Sequence, residues 1–169
     1  MVGKRRFVSA VILTIAAVGQ IILTFILYNP HGNTLLINTG WLILWISAFF
    51  GWVPIYTFRK KGNISGRSYI HTTTLVDSGV YRIVRHPQYL AGILMSVSLS
   101  LITFHWAVLI LGVIVSGVIF KTTYDEEEGC IEKFGDDYLN YRKSVPRINF
   151  VLGIFRVIRT KIRKRFEKN

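Results

Sequence analysis

Four apolar runs, too long and too continuous for the helices of a soluble core, constrain this chain more than any other feature. They are Phe7–Tyr28, Leu35–Phe58, Tyr89–Thr103 and Trp106–Phe120. At 1.5 Å of rise per residue, about 20 apolar residues cross a bilayer as a helix. The first two runs reach that length alone. The last two are shorter and share a tight corner at His105–Trp106. Phe7–Tyr28 exceeds the apolar core of a signal peptide and has no small-x-small cleavage site leading into a soluble domain, so it is expected to stay as a helix. With half its residues apolar and a mean hydropathy of +0.40, the chain is expected to be an all-α integral membrane protein. The expectation is a single membrane domain over residues 1–169: spans at about 7–28, 35–58, 89–103 and 106–120, a cytoplasmic cap from 59–88 and 121–149, and a tail from 150–169.

The net charge of +12 is unevenly placed. Lys4, Arg5 and Arg6 precede the first span, and Arg59, Lys60, Lys61, Arg67, Arg82 and Arg85 fill the loop before the third. The remaining twelve basic residues, Lys121 to Lys168, follow the fourth, whereas Asn29–Thr34 and Phe104–His105 carry none. By the positive-inside rule both termini and the central loop are cytoplasmic, in a cell inner membrane or an endoplasmic-reticulum-type membrane. Each basic cluster adjoins a span, so anionic membrane lipid is its counterion and no nucleic-acid partner is expected. Cys130 is alone, and His31, His71, His86 and His105 lack ligand spacing, so neither a disulfide nor a metal site is expected. No phosphate-binding glycine motif is present.

Trp41, Trp45, Phe49, Trp52 and Tyr56 recur at three- and four-residue spacing on the second run. They form one helical stripe, either an interfacial and packing surface or one wall of a groove for a long apolar substrate. Gly92, Ser96 and Ser100, with Gly112 and Ser116, allow two helix backbones to approach closely as a hairpin. Asp77-Ser78-Gly79 signals a turn, and Pro87 suits the first turn of a helix, which places His86 at or beside its N-cap. Glu126, Glu127 and Glu128 form an acidic cluster beside the membrane, either a solvated helix exit or a seat for a cationic ligand. Val151, Ile154, Phe155, Ile158, Ile162 and Phe166 alternate with Arg156, Arg159, Arg163 and Lys164 as a basic amphipathic helix on the inner leaflet.

Three segments fit one pattern. Residues 73–81, Thr-Thr-Leu-Val-Asp-Ser-Gly-Val-Tyr, are followed by Arg85-His-Pro-Gln-Tyr89. Then come the glutamates from Glu126 and a run holding Phe134-Gly, Tyr138, Tyr141 and Val145-Pro-Arg147. In order and spacing they closely resemble the C-terminal half of isoprenylcysteine carboxyl methyltransferases and their prokaryotic relatives, a group that also includes phospholipid N-methyltransferases. The resemblance covers about Thr73 to Arg147. It implies a membrane methyltransferase with S-adenosyl-L-methionine bound at the cytoplasmic lip of the helix hairpin. By matching position, the cofactor residues would be Thr73, Thr74, Leu75, Val76, Tyr81, His86, Pro87, Gln88, Tyr89 and Glu126.

The residue chemistry suits that donor. Backbone groups of the Thr-Leu-Val loop can meet adenine and ribose edges, and the helix N-terminus beside Arg85 and His86 can seat a carboxylate. Glu126 can pair with the amino group, and Tyr81 and Tyr89 can offer a π-face to the sulfonium. Glu126, Glu127 and Arg147 are the catalytic candidates. A carboxylate acceptor needs no base at pH 7; an amine acceptor must lose a proton, for which a nearby carboxylate is suited. The family places a substrate-contacting arginine four residues before its equivalent of Glu126, where this chain has Thr122. Lys121, Arg142 or Arg147 could substitute, so Lys121 and Thr122 join Trp45 and Trp52 as substrate-side candidates. The preferred reaction is carboxyl O-methylation of a prenylated or isoprenoid-like substrate, with N-methylation of a phospholipid or other lipid amine as the alternative. The Cys130, Lys133-Phe-Gly135 segment is also similar to the NADPH-dependent sterol C14-reductase group, and a non-catalytic membrane adaptor on the same fold is the remaining alternative.

Overall fold

The computed structural model describes residues 2–61 and 74–166. Thr73, one of the cofactor candidates, lies outside the described residues. Among the described residues, five α-helices follow one another: α1 Val2–Leu27, α2 Thr34–Lys61, α3 Pro87–Thr103, α4 Trp106–Ser144 and α5 Phe150–Phe166, with a 3-10 turn at Gly79–Arg82 before α3. No strand occurs among the described residues. Phe7–Leu27, Thr34–Thr57 and α4 are long and apolar enough to cross a membrane; α3, at 17 residues, is a shorter apolar helix.

The apolar runs become helices because each lacks internal charge, and their ends are set locally. Asn33 Oδ1 accepts from the Leu36 N–H at 3.2 Å and satisfies an orphan donor in the first turn of α2. Pro87 occupies the first position of α3, where a missing N–H costs nothing. Phe104, at φ 46°, turns the chain sharply between α3 and α4.

α4 continues past the apolar run that ends at Phe120, through the glutamate cluster to Ser144, so the segment 121–149 is largely helical. Gly135 interrupts it with φ 53° and ψ −129°, a conformation that excludes a Cβ.

The chain divides into two compact units: α1, the first part of α2 and residues 89–125 form one, and residues 50–88 with those from 126 onward form the other. In the first, Ala16, Val115 and Ile119 make an apolar cluster joined by Leu13, Tyr89 and Leu111. The α3–α4 hairpin closes where its small residues predicted it: a Cβ on Gly112 would lie 2.8 Å from Ser100 Oγ, and one on Gly92 would lie 2.7 Å from Ile119. Gln20, 1 % exposed in the middle of α1, had no counterpart in the sequence reading. Its Nε2 donates to the Ser96 carbonyl at 2.9 Å and its Oε1 accepts from Ser96 Oγ at 2.9 Å, so one buried amide ties α1 to α3.

Candidate active site

The second unit is organised around Glu127. The side chains of α4 that turn inward after Phe120 fall at Thr123, Glu127, Cys130, Phe134, Tyr138, Tyr141 and Val145. These are steps of three and four, so Glu127 occupies a core position of the helix although its type is polar. Its side chain is 3 % exposed. A buried carboxylate persists only with its charge balanced, and here two guanidinium groups and an imidazole converge on it. Arg147 binds it through two nitrogens, Nε to Oε1 at 3.1 Å and a terminal nitrogen to Oε2 at 2.7 Å. Arg85 reaches Oε1 at 2.8 Å and His86 Nε2 lies 3.2 Å from the same oxygen. Arg142, half exposed, stands farther out at 3.8 Å.

Backbone pairing places these side chains. The Arg85 N–H donates to the Pro146 carbonyl at 3.0 Å, and the His86 N–H donates to the Arg147 carbonyl at 3.1 Å. Arg85 also donates from one terminal nitrogen to the carbonyls of Arg142 and Val145, satisfying orphan acceptors at the end of α4. The Tyr141 hydroxyl donates to the Tyr81 carbonyl at 2.6 Å, and Tyr138, Tyr141 and Val145 form an apolar cluster with Leu75 and Phe134. Upstream, Gly79 (φ 66°) brings the backbone against Thr57 of α2, where a Cβ would lie 3.1 Å from Thr57 Cγ2.

The electrostatics follow from these contacts. Burial alone would raise the Glu127 pKa, but the hydrogen bonds from His86 and Arg147 and the charges of Arg85 and Arg147 outweigh it, and the group is lowered to about 2. Burial works against protonation of His86, yet the hydrogen bonds and charges of Glu126 and Glu127 prevail and raise it above its ordinary 6.5. Its Nδ1 lies 3.5 Å from Glu126 Oε2, so the imidazole bridges a buried carboxylate and a half-exposed one. Burial, with Glu126 and Glu127 nearby, pushes the Cys130 thiol to about 11 and keeps it neutral.

The structure therefore brings together His86, Glu126, Glu127 and Arg147 from the sequence candidates. It adds Arg85 as the link between them, a role the sequence reading had not given it. Glu127 falls on the inward steps of α4, but its polar type gave no sequence signal for burial. The other candidates lie elsewhere. Thr74 and Leu75 line a cavity of about 790 Å³ with Asp77, Asn140, Tyr141 and Arg156. Val76 and Pro87 are buried, Tyr81 is held in the core by Tyr141, and Gln88 is exposed. Tyr89 packs in the apolar cluster of the other unit. Lys121 is exposed, and Thr122 Oγ1 donates to the Val118 carbonyl of its own helix. Trp45 and Trp52 are exposed on α2. No cluster of metal-ligating residues occurs among the described residues.

Residues 35–137, more than half of the chain, match the model of the phospholipid methyltransferase family. The chain belongs to that family. Among curated proteins, this phospholipid methyltransferase family member is similar to protein-S-isoprenylcysteine O-methyltransferases. It is 35% identical to that of Xenopus laevis over 83 residues, covering 48% of this chain and 29% of the relative. It is 34% identical to those of Mus musculus and Homo sapiens over 88 residues, covering 49% of this chain and 30% of each. The chain thus spans under a third of the length of these relatives. No solved structure matches it.

Proposed function

We propose that this protein is an integral-membrane, S-adenosyl-L-methionine-dependent methyltransferase acting on a lipophilic acceptor. One observation carries the reading: the segments that bear the family resemblance, Arg85-His-Pro, the glutamates and Val145-Pro-Arg147, are bound to one another in a single buried network with one carboxylate, Glu126, left half exposed at its edge. In this reading α3 joins the three longer apolar helices as a fourth span, and the positive-inside rule assigns both termini and the site to the cytoplasmic face, where the basic residues cluster.

The residues suit the donor. Glu126, steadied by the His86 imidazolium, is an anionic partner for an ammonium group. The cavity of Thr74 and Leu75, which Glu126 and His86 do not line, lies within the size range of cofactor pockets, and Asp77 and Asn140 there offer acceptors and donors for hydroxyl and ring-nitrogen edges. The donor, when bound, would supply an electrophilic methyl group on a cationic sulfur. The protein's share is to align the acceptor and exclude water. Glu127 and Arg147, engaged with each other, act by positioning His86 and the backbone of 145–147.

The preferred acceptor is a carboxylate on a prenylated or isoprenoid-like substrate, as the names of the relatives suggest, and Arg142 is the half-exposed guanidinium suited to hold it. A second reading, methylation of a lipid amine, is favoured by Thr122 in place of the family arginine and by the commitment of Arg147 to Glu127. Incubating the purified protein with methyl-labelled donor and a membrane lipid extract tests both. Label that mild base releases as volatile methanol marks a methyl ester; label that stays on an involatile amine headgroup marks the amine reading; no transfer to any lipid or prenylated peptide contradicts the methyltransferase reading.

A further inference from the structure

α5 presents two different faces. Gly153, Arg156, Val157 and Thr160 lie on one side of the helix, toward the rest of its unit. A Cβ on Gly153 would fall directly on the Ile83 carbonyl. Arg156 donates to the Ser144 carbonyl at 3.1 Å, and Val157 and Thr160 line the cavity beside Thr74. Opposite that side, Val151, Phe155, Ile158, Ile162 and Phe166 follow one another in steps of four, three, four and four, each at least half exposed. Arg159 and Arg165 flank this apolar stripe, and residues 150–166 contain six basic residues and no acidic one. A helix with an apolar stripe edged by guanidinium groups is complementary to a bilayer surface that carries negative headgroups.

We infer that α5 is an anionic-lipid sensor whose docking on the leaflet holds the candidate active site in register. The coupling is mechanical. Ile83, against which Gly153 seats, lies two residues before Arg85. Asn149, whose Oδ1 accepts from the Leu152 N–H to start α5, lies two residues after Arg147. Fixing α5 on the membrane therefore fixes both strands of chain whose backbones pair at 85–86 and 146–147. The inference rests on the embedding of the chain in a bilayer and not on the methyl-transfer reading.

The test is hydrogen–deuterium exchange on the full chain in nanodiscs of phosphatidylcholine alone and of phosphatidylcholine mixed with phosphatidylglycerol. Each basic residue near an anionic surface changes affinity by about fivefold, so the account expects exchange slower by about tenfold or more in α5 with anionic lipid. Slowing in residues 83–86 should accompany it, and both effects should disappear at high salt. In the double variant Arg159→Glu, Arg165→Glu, whose side chains point away from the unit, the lipid dependence should vanish. Exchange in α5 that ignores lipid charge overturns the inference. So does protection of α5 without protection of 83–86, or stronger protection by an acidic peptide in neutral lipid than by phosphatidylglycerol.

Discussion

Arg147 and Glu127 meet through two parallel contacts, at 3.1 and 2.7 Å, across a separation of twenty residues. That pair ties the middle of α4 to the loop that follows the helix.

Glu127→Gln removes the charge that balances Arg85, Arg147 and protonated His86. Breaking a buried ion pair by deleting one partner costs about 3–5 kcal/mol. Chemical unfolding in detergent should show a loss of about 3 kcal/mol, with Glu127→Asp in between. A fully stable Glu127→Gln variant with weakened activity would mark Glu127 as a catalytic group and not a positioning one.

The network should also set a pH window. The raised pKa of His86 gives stability that is full below 6.5 and is lost as pH rises through the higher folded value. The lowered pKa of Glu127 gives stability present above 4.5 and lost as pH falls toward about 2. The contribution of this network is therefore greatest between 4.5 and 6.5. Thermal unfolding of the wild type across pH should fall away on the alkaline side, and His86→Asn should flatten that fall.

Two glycines give opposite outcomes. Gly153→Ala places a methyl group on the Ile83 carbonyl and should unseat α5 at a cost of about 2 kcal/mol or more. A Cβ on Gly129 meets nothing within 4 Å in the same unit, so Gly129→Ala should be neutral or add up to about 1 kcal/mol of helix stability. Unfolding midpoints in detergent compare the two directly.

Arg85→Lys keeps the charge but not the fork that serves Glu127 and two helix-end carbonyls together. The loss of charge-assisted bonds should cost about 2 kcal/mol. It should also loosen residues 145–147, which amide exchange would register.

Much of this was legible before the structure. The continuous apolar runs specify α1 to α4, and Pro87 sets the start of α3. The small residues of α3 and α4 set their close approach. The continuation of α4 to Ser144 was not legible because its inward stripe uses Thr123 and Glu127 where an apolar residue marks a core position. The Arg85–Glu127–Arg147 network was hidden for a related reason. A charge run usually faces water, and only the three-dimensional return of Pro146 and Arg147 to Arg85 and His86 supplies the compensating cations. Gln20 escaped notice because one polar residue in an apolar run carries no periodicity.

The central claim is that this site binds a methyl donor. Calorimetric titration of the detergent-solubilised full chain with S-adenosyl-L-methionine tests it most directly. The account predicts saturable binding, weakened at least about tenfold in Glu126→Gln, in keeping with the loss of a charge-assisted pair. Absence of binding by the donor and its demethylated product, together with binding of NADPH, would contradict it.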